Sequence, residues 1–310
     1  SACSAVHIDP YRAENHQACS LTSGALIHRV ILIGDAGDPI LESLEPALEG
    51  AARYAAEYPE RSTVVFLGDN IYSAGLSEPE QSASHQDARE KGEALIEVLK
   101  RSRSRGVFVP GNHDWSRGSA GVCRQAEFFN TESDVTYLPK PCGCGGPSVL
   151  ELDAVRLIAI DTTWLRKLEQ EKINPTGCQL STLEEFEVEL KRLLDEESNK
   201  PTVLVGHHGI LSYGVHGKFY DIDDHFFPAG SFLPLPILGT LAIGLHSTLG
   251  CALDFCSPLE RSLVQALRRA TKHNPPAVYA AGHDDSLQVL DGGSVADTLV
   301  ISGGGSASVI

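Results

Sequence analysis

Positive charge is scarce in this chain. Its 310 residues carry 25 Lys and Arg against 41 Asp and Glu, a formal net charge of −16. That deficit argues against a nucleic-acid or anionic-membrane partner, because both need a basic field to bind. An anionic substrate would need a local attractor, such as bound metal. Also missing are any CxxC pair and any zinc-finger spacing among the eight cysteines, which argues against a thiolate zinc site. Cys142 and Cys144 flank one residue in "PKPCGCGGPS", and this spacing leaves open whether they bond each other or distant partners. The even count fits disulfides in an oxidising compartment; free thiols are the alternative. No linker-like stretch and no repeat of fixed period interrupts the chain.

What is present is a balanced globular composition, 42% hydrophobic and 21% charged. Short β-branched runs alternate with segments of helical spacing. "HRVILIGDAGD", "RSTVVFLGDN", "GVFVPGNHDW", "VRLIAIDTTW", "PTVLVGHHG" and "PAVYAAGHDD" read as buried strands with polar ends. "ILESLEPALEGAARYAAEY", "REKGEALIEVLKRSR", "LEEFEVELKRLLDEE" and "LERSLVQALRRATKH" read as helices between them. This alternation predicts an α/β fold.

Two segments stand apart. "SACSAVHIDP" resembles the end of a bacterial lipoprotein signal, which would make Cys3 a lipid anchor within an extension over residues 1–24; the alternative is an ordinary polar N-terminus. Residues 25–310 then form the main domain, with an apolar insertion at about residues 217–257. Its Phe226–Phe255 stretch is long enough to cross a bilayer, but it carries Pro234, Pro236 and His246 and lies between two strands. It is expected to be a lid or an apolar edge on the domain or at a membrane surface, or else additional core helices.

Five strand ends carry metal-capable residues: Asp35 with Asp38, Asp69 with Tyr72, Asn112-His113-Asp114, His207-His208, and His283 with Asp285. Ligand sites in α/β sheets gather at the carboxyl ends of strands. Carboxylates, imidazoles and an amide together suit zinc, iron or manganese. A carboxylate placed between the others could bridge two ions, as in two-metal phosphoryl-transfer sites.

"GDAGD", "GDNIYSAG", "GNHDW", "VGHHGILSYGVHG" and "GHDDSLQ", in this order, resemble the five motifs of the calcineurin-like metallophosphoesterases, most closely the small, tartrate-resistant purple acid phosphatases. "LIAIDTTW" and "VISGGGS" also fall where that family has strands. The resemblance implies a sandwich of mixed β-sheets flanked by helices. It implies two metal ions, iron with iron, zinc or manganese. Asp35 and Tyr72 would bind the first ion, Asp69 would bridge, and Asn112, His207 and His283 would bind the second. His113 and His216 would be catalytic, stabilising charge or protonating the leaving group. His208 stands where the small purple enzymes have other residues and is left without a role.

The main departure from the family is Asp285, where the pattern Gly-His-x-His has its second histidine. Either Asp285 is an oxygen ligand of the first ion in a harder, more anionic site, or it points away, or it is an engineered replacement. The expected activity is hydrolysis of a phosphate-ester small molecule or phosphorylated substrate by metal-activated hydroxide, acting as an acid-phosphatase-like monoesterase. The alternatives are a phosphodiesterase or nucleotidase, or a weakly active metal- or phosphate-binding protein. The expected location is extracytoplasmic, periplasmic or secreted, with membrane proximity through Cys3 or the apolar segment.

Overall fold

A computed structural model describes residues 26–39, 45–80, 82–171, 177–214 and 258–306. Cys3, His216 and the Phe226–Phe255 stretch lie outside the described residues.

The architecture is α/β, with two sheets. The first contains β1 (Arg29–Ile33), β2 (Ser62–Phe66), β3 (Arg105–Phe108) and β4 (Val135–Tyr137) in that order, all parallel. The second runs β5-β6-β7-β8-β10-β9, formed by β5 (Ser148–Glu151), β6 (Arg156–Ala159), β7 (Thr202–Val205), β8 (Val278–Ala281), β9 (Leu287–Asp291) and β10 (Thr298–Ser302). β6, β7, β8 and β10 are parallel neighbours, while β5 and β9 run antiparallel at the edges.

The strand sequences read as unbroken apolar runs because both faces of each sheet are covered. On β2, Val65 joins a core with Leu67, Val107 and Val109 of the first sheet and Leu157, Ala159, Val203, Val205 and Ala280 of the second. The inner faces of the two sheets therefore pack on each other. The alternate residues Val64, Phe66, Phe108, Ile158, Leu204 and Tyr279 point the other way, into a larger core shared with the helices. A period of two thus sorts each strand between two hydrophobic layers.

Among the described residues the α-helices are α1 (Pro46–Ala56), α2 (Ser82–Ser102), α3 (Gly118–Phe129), α4 (Thr162–Glu171), α5 (Leu183–Asp195) and α6 (Pro258–Thr271). α1 opens with Pro46 at its first turn, where a missing N–H costs nothing. α5 opens with a capping box: Thr182 Oγ1 accepts from the Glu185 N–H at 3.1 Å, and the Glu185 carboxylate accepts from the Thr182 N–H at 3.2 Å. The strand read in "VRLIAIDTTW" ends at Ala159, and the last three residues of that stretch, Thr162 to Trp164, open α4 instead. β4 and β5 are short strands, and neither they nor the edge strand β9 is among the strands read from the sequence.

The chain passes from the first sheet to the second through the Gly-rich loop between β4 and β5. Two disulfides pin this crossover: Cys142 bonds Cys123 on α3, and Cys144 bonds Cys178. Cys142 and Cys144 therefore have distant partners rather than each other.

Candidate metal centre

The carboxyl ends of β1, β2, β3, β7 and β8 converge. One backbone hydrogen bond ties the two sheets together there, from the Gly34 N–H after β1 to the Ser302 carbonyl of β10 at 2.6 Å. Within the sheets, the Asp35 N–H donates to Gly68 at 3.1 Å and the Gly282 N–H to His207 at 3.0 Å. Asp35, Asp69 and His283 leave their strands with φ of 57°, 53° and 68°. These are left-handed conformations that non-glycine residues rarely adopt and that cost about 1–3 kcal/mol each. Such strain at three candidate ligands marks a site held by its surroundings for a purpose other than stability.

The motif glycines are explained by space. A Cβ on Gly68 would come 2.5 Å from His207 Nδ1, one on Gly111 would meet Asp69 Oδ1 at 2.2 Å, and one on Gly282 would meet Asp35 Oδ2 at 2.5 Å. The glycine beside each of these donors vacates the volume that a neighbouring strand's donor occupies.

Asp69 is the centre of the arrangement and is 2% exposed. Its Oδ2 accepts from the Tyr72 hydroxyl at 3.3 Å and lies 3.4 Å from His207 Nε2. Its Oδ1 accepts the His113 N–H at 2.8 Å. On one side the Tyr72 hydroxyl also reaches Asp35 Oδ1 at 3.1 Å, and Asp35 Oδ2 accepts the His283 N–H at 2.8 Å. On the other side His207 Nε2 meets Asn112 Oδ1 at 2.9 Å. The His207 Nδ1–H donates to the Leu67 carbonyl at 2.9 Å, which fixes the ring and turns Nε2 toward the acids.

His113 borders the site. Its Nδ1–H donates to the Ser73 carbonyl at 2.7 Å, its Nε2 is 4.0 Å from Asp69 Oδ2, and its ring meets Tyr72 edge-on at 4.6 Å. Asp285 is exposed, yet its charge acts on both Asp35 and Tyr72. Asp38 pairs with Lys91 on α2 at 2.9 Å.

The electrostatics fit a cation. Burial, with the charges of Asp69 and Asp285 adding to it, pushes the Asp35 carboxyl well up. Burial and the carboxylates of Asp35, Asp69 and Asp285 push the Tyr72 phenol up as well. Burial opposes the charge on Asp69 too, but His207 overrides it and holds that carboxyl down at about 2. Asp35 and Tyr72 thus resist ionisation beside a charged Asp69, a conflict that a bound cation would relieve. Asp35, Asp69 and His207 each place a ligand atom within 4.8 Å of the others, and so do His207, His208 and His283. Carboxylate, phenol, amide and imidazole donors so disposed suit borderline and hard ions.

Three contributors had no role assigned from sequence. Asp114 is fully buried and clamps two motif loops together. Its carboxylate accepts from the N–H groups of Gly111 at 2.7 Å and Asn70 at 3.1 Å, and from Gln125 Nε2 at 2.8 Å. Asp161, at the end of β6, accepts from Trp115 Nε1 at 2.7 Å and so ties the third motif to the second sheet. His208 packs against both His207 and His283. For all three the signal was a polar residue at a strand end, but their partners are distant in sequence.

Residues 28–230 match the family model for calcineurin-like phosphoesterase. No curated protein matches the chain.

Proposed function

The chain belongs to the calcineurin-like phosphoesterases and is a metal-dependent hydrolase of phosphoesters; we propose that it works with two ions and acts on phosphomonoesters in the manner of the purple acid phosphatases. The observation that carries the two-ion reading is Asp69 Oδ2, which faces Tyr72 at 3.3 Å on one side and His207 at 3.4 Å on the other. Asp35, Tyr72 and Asp285 would hold the first ion, Asn112, His207 and His283 the second, and Asp69 both. When bound, such ions neutralise phosphate charge and make water acidic enough to attack near neutral pH.

The protein's own residues supply position and protons. Asp35, Asp69 and Asn112 are held by backbone and side-chain hydrogen bonds before any substrate arrives, so little reorganisation is needed. His113 is oriented by the Ser73 carbonyl with Nε2 toward the site, where its protonated form would donate to the leaving oxygen. His216, outside the described residues, is the second candidate for that role. The proximity of Tyr72 to Asp35 and Asp69 supports the purple-phosphatase assignment, because a phenolate is a good ligand for ferric iron.

We also place the protein outside the cytoplasm, a reading that the Cys123–Cys142 and Cys144–Cys178 disulfides support. No helix among the described residues is long and apolar enough to cross a membrane.

The test is elemental analysis of the purified protein with parallel assays on a chromogenic monoester and diester. Two metals per chain and turnover of the monoester are expected. Activity on the diester alone would replace the monoesterase reading. One ion per chain, rising to two in Asp285→His, would remove Asp285 from the ligand set.

A further inference from the structure

His208 has no part in the two-ion arrangement just described. It follows His207 directly, is 1% exposed, and has its ring centroid 4.9 Å from that of His207 and 4.4 Å from that of His283. The His207 and His283 centroids are 5.0 Å apart, which closes a triangle of three buried imidazoles. Each of them has a ligand-capable nitrogen within 4.8 Å of the others.

The ring is anchored from behind. Thr162 Oγ1 accepts the His208 backbone N–H at 3.0 Å and pairs with its Nδ1 at 2.8 Å. The Tyr279 hydroxyl donates to the His208 carbonyl at 2.6 Å. Thr162 and Tyr279 are fully buried. This repeats the treatment of His207, whose Nδ1–H is taken by the Leu67 carbonyl. Holding one ring nitrogen with an outer partner is how proteins aim the other at a metal. With Nδ1 of His208 engaged by Thr162, Nε2 is the nitrogen that a cation would take.

A core histidine satisfied by Thr162 would account for the burial of His208. It would not account for the convergence of three imidazoles on one another. Three buried imidazoles, each with a ligand-capable nitrogen within 4.8 Å of the others, form a donor set that a cation would satisfy. We infer that His208 is a third imidazole ligand on the nitrogen side of the site, with His207 and His283. Such a set favours a borderline ion of the zinc class over a hard trivalent one. The inference rests on the metal-binding reading above.

Cobalt(II) loaded into the full chain gives a direct count. Each metal-bound imidazole keeps one ring N–H, and that proton shows a hyperfine-shifted resonance that exchanges in D2O. Three such signals are expected in the unmodified protein. His208→Phe, which preserves the ring volume, should leave two and weaken cobalt binding by at least about tenfold. Two signals in the unmodified protein would overturn the role of His208 and leave the two-ion proposal standing. No cobalt-dependent signal at all would overturn both. Three signals in a protein that hydrolyses no phosphate ester would support His208 and overturn the proposed activity instead.

Discussion

The first sheet delivers Asp35, Asp69 and Asn112 to the site, whereas the second delivers His207, His208 and His283. One side is oxygen-rich and anionic, with Tyr72 and, from the loop after β8, the exposed Asp285 adding to it; the other is nitrogen-rich, and against the effect of burial Asp69 pushes its His207 imidazole up to about 10. Asp69 belongs to the first sheet but pairs with His207 of the second at 3.4 Å. The two halves are therefore suited to different ions. Hard, highly charged ions are drawn to clustered oxygen donors, and borderline divalent ions to imidazole. The two donor sets keep their places because hydrogen bonds such as Gly34 N–H to the Ser302 carbonyl at 2.6 Å and Trp115 Nε1 to Asp161 at 2.7 Å tie the two halves together at this end.

The largest effect should come from the shared residue. Asp69→Asn removes the charge that serves both halves, and kcat/KM should fall by about a thousandfold, about 4 kcal/mol of transition-state stabilisation. Elemental analysis should show loss of both ions, and loss of only one would break the bridging assignment. Next come the single-sided changes. His207→Ala should weaken binding of the borderline ion, and Asp35→Asn that of the harder ion, each by about a hundredfold. Competitive titration with zinc and ferric iron would check this, and equal loss of both ions in each variant would erase the distinction between halves. Tyr72→Phe sharpens the oxygen side. It should abolish the visible charge-transfer band of the oxidised iron form while activity falls by less than about tenfold.

The smallest effect is on stability alone. Burial raises Asp161 from its ordinary 3.8 to about 7 against the hydrogen bonds from Trp164 and Trp115. A carboxyl raised in the folded state contributes stability that is complete below the unfolded value and lost as pH climbs through the folded one. Tm should therefore decline by a few degrees between about pH 4 and pH 7. Thermal unfolding of Asp161→Asn should lack that part of the slope; an unchanged slope would show that Asp161 does not titrate in this window.

Much of the site is legible in the sequence, because its donors end strands whose apolar runs are unmistakable. Asp35, Asp69, Asn112, His207 and His283 are each announced by a local pattern of β-branched residues, glycine and a polar donor. His208 shares the strand-end pattern of His207, but its role depends on Thr162, 46 residues away, and on a ring contact with His283. Asp114 and Asp161 are hidden for the same reason: a buried carboxylate and a turn carboxylate look alike in sequence. The fate of Asp285 is equally illegible, since its exposure depends on how the chain leaves β8.

Local sequence dictates the alternation of strands and helices, the order of the five donor clusters and the glycine beside each first donor, all of them consequences of side-chain period and volume. Tertiary packing alone selects which strands share a sheet, that Cys142 and Cys144 bond Cys123 and Cys178, and that Asp35, Asp69 and Asn112 from one sheet meet His207, His208 and His283 from the other. Those outcomes follow from packing two sheets face to face through a common apolar layer. That packing joins residues far apart in the chain, and no local pattern encodes it.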